Sequence, residues 1–84
     1  MSTNTLVNLV EEAKRQMTTI TGLSPDAISR LDRAEGGWTV SMDMLEHRAI
    51  PRTQDLLASY EVVLDDDGQV TGWHRTGRFI RGQG

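Results

Sequence analysis

The sequence predicts an α+β fold, an N-terminal amphipathic helix packed on one face of a three- to four-stranded antiparallel β-meander. Three observations predict it. Apolar residues recur at helical spacing from Leu6 to Ile20, then recur at every second position, and the alternating stretches are separated by the turn sequences Glu35-Gly36-Gly37 and Asp65-Asp66-Asp67-Gly68. A chain of 84 residues has room for one core, so it reads as a single domain, 1–84.

The helix is placed at about residues 4–20. Leu6, Leu9, Val10, Ala13, Met17 and Ile20 form its apolar stripe, with Asn8, Glu11, Glu12, Lys14 and Arg15 mostly on the other side. Ser2, Thr3 and Asn4 are candidate caps at its start. Gly22 suits the left-handed turn that closes a helix, with Leu23 folding back on the last turn. Ser24-Pro25-Asp26 either caps a short turn or leads the chain away.

Residues 28–34 are too few and too charged for a buried helix and read as an edge strand. Residues 37–48 make the clearest strand, since Trp38, Val40, Met42 and Met44 alternate with Thr39, Ser41 and Asp43. Pro51 removes a ladder donor, so pairing stops there. Residues 57–65 and 69–80 form a second hairpin. With a three-residue loop and Gly68 left-handed, Leu64 faces Val70, Val62 faces Gly72 and Tyr60 faces His74, so even-numbered residues point to the helix. The far face then presents Leu45, Glu61, Val63, Trp73 and Arg75, while an irregularity at Gly77 leaves the parity of Phe79 and Arg81 open. One helix covers one face only. An indole and aliphatics left uncovered among arginines have the composition of a contact surface.

A net charge of -3 gives no global attraction to nucleic acid. The distribution is uneven, because beyond Asp67 the chain carries Arg75, Arg78 and Arg81 and no acid. With Trp73 and Phe79 interleaved, that tract is the basis of an alternative reading, a small nucleic-acid-binding or regulatory module. The acidic total and the lack of an RNP-type motif weigh against nucleic acid. The absence of cysteine removes disulfides, thiolate zinc sites and cysteine nucleophiles, and suits a reducing cytoplasm. Glu11 and Glu12 interrupt any signal-peptide pattern, and no apolar run approaches the ~18 residues of a membrane span.

Catalytic patterns are not found. An EF-hand loop with its glycine at Gly68 would begin at Val63 and end at His74, neither of which supplies a carboxylate, so turn chemistry explains the aspartates. His47 and His74 lack zinc-site spacing. Glu46 and Glu61 lie on successive strands among Arg48, Arg75 and Arg78, which suits an ion network better than acid–base work. No serine has a nucleophile-elbow context, and the glycines form neither a GxGxxG nor a Walker loop. We therefore expect no enzyme, cofactor or metal site, and a partner-binding set of Glu46, Arg48, Glu61, Trp73, Arg75, Arg78, Phe79 and Arg81. The Ile50-Pro51 connection is a second candidate. It reads either as a recognition element carrying Arg52 and Asp55 or as a turn stapled by an Arg52–Asp55 pair.

An ordered series runs through the predicted sheet: Gly37-Trp38-Thr39-Val40, Glu46 to Asp55, Tyr60-Glu61-Val62, Leu64 to Gly68, Trp73-His74-Arg75 and Arg78 to Arg81. It resembles the gas vesicle protein O family, an accessory family of gas vesicle gene clusters. The resemblance covers about residues 22–82, and its most specific part is the E-x-R-x-I-P-x-x-x-D-x-L-x-x-Y-E-V run from Glu46 to Val62. It departs at Trp73 and Phe79, where the family tends to carry tyrosine. The resemblance implies a non-enzymatic accessory protein for gas vesicle assembly, in the cytoplasm or associated with the vesicle. Implied partners are other proteins of the cluster, including the AAA-type ATPase, accessory subunits and the shell protein. A chain with 25% charged residues and negative mean hydropathy does not suit the gas-facing wall itself. Self-pairing of the apolar face would give a homodimer.

Overall fold

The helical stripe folds as α1, Ser2–Thr21, in a computed structural model that describes residues 2–83. Capping by the side chains of Ser2, Thr3 and Asn4 lies outside the described residues. On the solvent side, Lys14 pairs with Glu11 at 3.1 Å and Arg15 with Glu12, each one turn apart. On the sheet side the middle of the stripe is buried: Ala13 and Met17 are sealed and Leu9 packs against them, while Leu6 and Ile20 at its ends stay exposed. The helix stops at Gly22, whose φ of 76° is the left-handed conformation and whose N–H donates to the Thr18 carbonyl at 2.8 Å. Leu23 then turns back onto the core.

Four strands follow: β1 (Ser24–Ala34), β2 (Gly37–His47), β3 (Leu56–Asp65) and β4 (Val70–Ile80). They form one antiparallel sheet in chain order, β1-β2-β3-β4, as a meander requires. β1 begins four residues before the expected 28, taking in Pro25 opposite Met44. An edge strand tolerates proline because its missing N–H faces outward or falls at a bulge, and β1 is bulged between Pro25 and Ala27. Short 3₁₀ turns, Arg52–Gln54 and Arg81–Gln83, lie together at the end of the sheet opposite the hairpin turns.

The core joins one stripe to one sheet face. Val40, Met42 and Met44 of β2 and Ala58, Tyr60, Val62 and Leu64 of β3 are buried with Ala13 and Met17 of α1. The even-numbered parity expected for β2 and β3 is thus the parity that faces the helix. A side-chain amide ties the layers at the far side: Gln16 donates through Nε2 to the Gly68 carbonyl and accepts at Oε1 from the Val70 N–H, both at 2.8 Å.

Candidate functional site

The position of the candidate residues depends on the register of β4. The β3–β4 turn has the expected form. Asp65 Oδ1 accepts from the N–H groups of Asp67 and Gln69 at 2.9 Å, Gly68 sits at φ 83°, and Leu64 pairs with Val70. One residue later the expectation fails. Thr71 is an extra residue on β4, so Val63 pairs with Gly72, Val62 with Trp73, Glu61 with His74 and Tyr60 with Arg75. Thr76 is a second extra residue, after which Ser59 pairs with Gly77, Ala58 with Arg78 and Leu57 with Phe79. Each threonine hydroxyl donates to a carbonyl of β3, Thr71 to Val63 at 3.3 Å and Thr76 to Ser59 at 3.2 Å. An extra residue shifts the alternation by one and turns the following side chains to the other face.

This overturns the expected pairs Val62–Gly72 and Tyr60–His74, and it moves Trp73 and Arg75 from the far face to the helix face. They are not sealed there. The helix reaches β4 at its start, where Gln16 meets Val70, and Trp73 farther along the strand keeps 45% of its surface exposed. Its indole packs on the Tyr60 ring, with centroids 5.9 Å apart and planes at 56°, while Tyr60 is only 7% exposed. Tyr60 is the floor of a ledge, and Trp73 is its exposed rim.

Glu46 completes the ledge. It is the extra residue in β2 between Leu45, opposite Leu57, and His47, opposite Leu56. Its carboxylate lies 3.5 Å from Arg75 Nη1 and 2.8 Å from Arg78 Nε, and accepts from Arg78 Nη2 at 3.3 Å. The 2.8 Å contact is an ion pair without hydrogen-bond alignment, so Oε1 of Glu46 is buried with no aligned donor. Of the eight expected residues, Glu46, Trp73, Arg75 and Arg78 therefore meet along one edge.

The other four lie elsewhere. Glu61 faces His74 on the far side of the sheet, 3.8 Å away and exposed. Phe79 shares that far face with Leu57 and Leu45, next to the connection between β2 and β3. Arg48 lies on that connection and is exposed. Arg81 is engaged by two carboxylates, Asp26 at 2.9 and 3.1 Å and Asp55 at 3.1 and 3.2 Å. The three arginines past Asp67 thus each face an acid supplied by another part of the chain, which leaves less charge for phosphate than the sequence tract promises.

The sequence places Asp55 in a recognition element or in a pair with Arg52, and the structure gives it a different part. It is 2% exposed, and its Oδ1 accepts the Ala49 N–H at 2.7 Å while its Oδ2 faces Arg81. The backbone N–H of Arg81 donates in turn to the Asp55 carbonyl at 2.9 Å. The Ala49 hydrogen bond, aided by Arg81, holds the Asp55 carboxyl below the usual carboxylate range despite burial. The bond to Asp26, then that to Asp55, raises the Arg81 guanidinium above its ordinary value. Two carboxylates, Asp55 and Asp26, and one guanidinium therefore fasten the β2–β3 connection, the start of β1 and the end of β4.

Among the described residues no group of three or more potential ligands is placed to hold a metal ion, and no helix is long and apolar enough to cross a membrane. No solved structure gives a significant match to the chain. Sequence comparison is informative. The curated relatives include gas vesicle protein O of a Streptomyces species, 38% identical over 77 residues, which are 92% of this chain and 60% of that protein. Gas vesicle protein O of Haloferax mediterranei is 38% identical over 58 residues, 68% of this chain and 41% of the relative. Gas vesicle protein O1 of Halobacterium salinarum is 33% identical over 57 residues, 68% and 48% respectively. The matched stretch thus spans about half the length of these relatives. The profile of the family described as "Gas vesicle synthesis protein GvpO" matches residues 1–84. A match from end to end, on a chain whose most specific run builds both Glu46 of the ledge and the Asp55 staple, places the protein in the gas vesicle protein O family.

Proposed function

We propose that this protein is a non-enzymatic accessory factor of gas vesicle formation that acts by contact with other proteins of the gas vesicle cluster, through the Tyr60–Trp73 ledge and its Glu46–Arg75–Arg78 border. Family membership carries the first half of the reading, since the relatives are named gas vesicle proteins. Trp73 carries the second. A half-exposed indole seated on a buried tyrosine is fixed in place at little entropic cost, and it stands beside two arginines on an unpaired sheet edge. Aromatic and Arg side chains of this kind dominate binding energy at protein interfaces. The partners implied by the resemblance are the AAA-type ATPase, accessory subunits and the shell protein, with action in the cytoplasm or at the vesicle.

The test replaces the chromosomal copy with Trp73→Ala or Arg75→Ala in a vesicle-forming host and also purifies each variant. Vesicles are expected to be lost, together with co-purification of cluster proteins, while unfolding free energy falls by no more than about 1.5 kcal/mol, the worth of one aromatic pair or a surface ion pair. Normal vesicles in both variants, or a collapse of the fold in both, would remove the ledge from the reading.

A further inference from the structure

Seven of the nine Lys and Arg side chains, from Lys14 on the helix to Arg81 after β4, stand in ion pairs with carboxylates of the described residues. The two that do not are Arg48 and Arg52, and both line the same cleft. It measures about 380 Å³ and lies between the start of β1, Leu45 of β2 and the β2–β3 connection. Arg52 has an acid three residues away in Asp55, but that carboxylate is turned inward to the Ala49 N–H and to Arg81. The staple that fixes the connection thus also keeps the Asp55 carboxylate out of an ion pair with Arg52.

Between the two arginines Ile50 is 100% exposed. The backbone that carries all three side chains is braced by the Asp55–Ala49 hydrogen bond, by the Gln54 N–H to the Pro51 carbonyl at 3.0 Å and by the Asp55 N–H to the Arg52 carbonyl at 2.9 Å. A backbone already braced need not be ordered on binding, which lowers the cost of association. Pro25, Leu45 and Ala49 give the cleft apolar walls, and its two carboxylates, Asp26 and Asp55, are already engaged by Arg81.

We propose that this cleft is a docking site for an acidic segment of a partner protein, its carboxylates meeting Arg48 and Arg52 and an aliphatic side chain of the same segment meeting Ile50 and the cleft wall. This rests on the reading that the protein works by protein contacts, but it names a second surface at the opposite end of the sheet from the hairpin turns and fixes the partner's chemistry. Charge complementarity selects the occupant: two guanidiniums in no ion pair among the described residues, on a chain that is net negative overall, favour an acidic ligand over a basic one at this point. The exposed isoleucine and apolar walls favour a peptide over a bare phosphate chain.

The test titrates the intact ¹⁵N-labelled chain with the synthetic peptide EELEE, and in parallel with KKLKK, EEGEE and a single-stranded oligothymidine. EELEE is expected to shift the amides of Leu45, Ala49, Ile50 and Arg52. Its affinity should fall about tenfold in Arg48→Ala and again in Arg52→Ala, as for loss of a charge-assisted contact, and weaken with added salt. EEGEE should bind more weakly and KKLKK not at all, and Arg30→Ala and Trp73→Ala should leave the EELEE affinity unchanged. Shifts centred on Arg75 and Arg78, no shift at all, an affinity in the Arg48 and Arg52 variants unchanged from that of the unsubstituted chain, or tighter binding of oligothymidine would each overturn the assignment. So would self-association that disappears in Arg52→Ala, since the occupant would then be the Asp65–Asp67 turn of a second copy. Failure here with loss of vesicles in Trp73→Ala leaves the ledge standing, and the reverse pattern leaves the cleft.

Discussion

At the scale of single residues the most consequential group is Asp55, a carboxylate removed from water and satisfied on both oxygens. Its folded-state acidity is increased by the Ala49 N–H first and by Arg81 after it. A group whose folded pKa lies below its unfolded value, about 3.9 for aspartate, contributes stability that is complete above that value. The contribution is lost as pH falls through the lower folded pKa. We expect the urea midpoint of the protein to drop between pH 5 and pH 2 and the drop to be smaller in Asp55→Asn, which keeps an acceptor for Ala49 but no charge for Arg81. Glu12, held low mainly by Arg15, adds its own acid dependence to both proteins and cancels in the comparison. An identical pH profile for the two would mean that the staple stores no charge energy. The sequence shows that Asp55 follows an Ile-Pro turn. It does not show Arg81, which lies 26 positions away and meets Asp55 only because β3 begins where β4 ends.

At the scale of elements β4 decides which residues are functional neighbours, and two threonines decide β4. Both extra residues fall in a Thr-Gly pair, Thr71-Gly72 and Thr76-Gly77. Glycine inside a strand marks a bulge, so both pairs are legible in the sequence, but the alternation expected from Val70 runs unbroken through the first of them. The even parity of β2 and β3 was legible because no interruption breaks Val40 to Met44 or Ala58 to Leu64. In β4 the exposure pattern gives almost no apolar alternation to count, which is why the register there could not be read from hydrophobicity. Deleting Thr71 should remove the bulge and leave Trp73 opposite Val62 on the helix face, whereas a residue inserted between Gly72 and Trp73 should carry Trp73 to the far face. The ring-to-ring nuclear Overhauser contacts between Tyr60 and Trp73 would then vanish, with a loss of about 0.5–1.5 kcal/mol for the pair. Contacts that persist in the insertion variant would show that β4 absorbs the added residue in a new bulge and that the Tyr60–Trp73 pair itself sets the register. A second element-level device is Gln16. Replacing it by Ala removes two hydrogen bonds between α1 and the start of β4 and should cost about 1–3 kcal/mol by urea titration, with Leu9 and Gly68 moving apart.

At the scale of the whole molecule the architecture divides stability from contact. The helix buries the faces of β2 and β3, where Met17 lies in one buried cluster with Val40, Met42, Met44, Val62 and Leu64, and Met17→Ala should cost about 2–5 kcal/mol because a sealed site cannot refill the space. β1 and β4 are edges with one side of their backbones unpaired. The layout was legible as one helix on one sheet because the two periodicities match a single buried face. What lies outside that face, the ledge on β4 and the cleft beside Arg48, depends on pairings between distant charges that no periodicity encodes. This division predicts a pattern of hydrogen exchange. Inward amides of β2 and β3 should exchange only by global unfolding, whereas outward amides from Trp73 to Arg78 should exchange orders of magnitude faster through local opening. Met17→Ala should accelerate the first class and leave the second nearly unchanged. If instead the outward β4 amides are protected to the global limit, concentration dependence of that protection would identify a second copy already paired along the edge. The ledge would then be an interface within a homodimer.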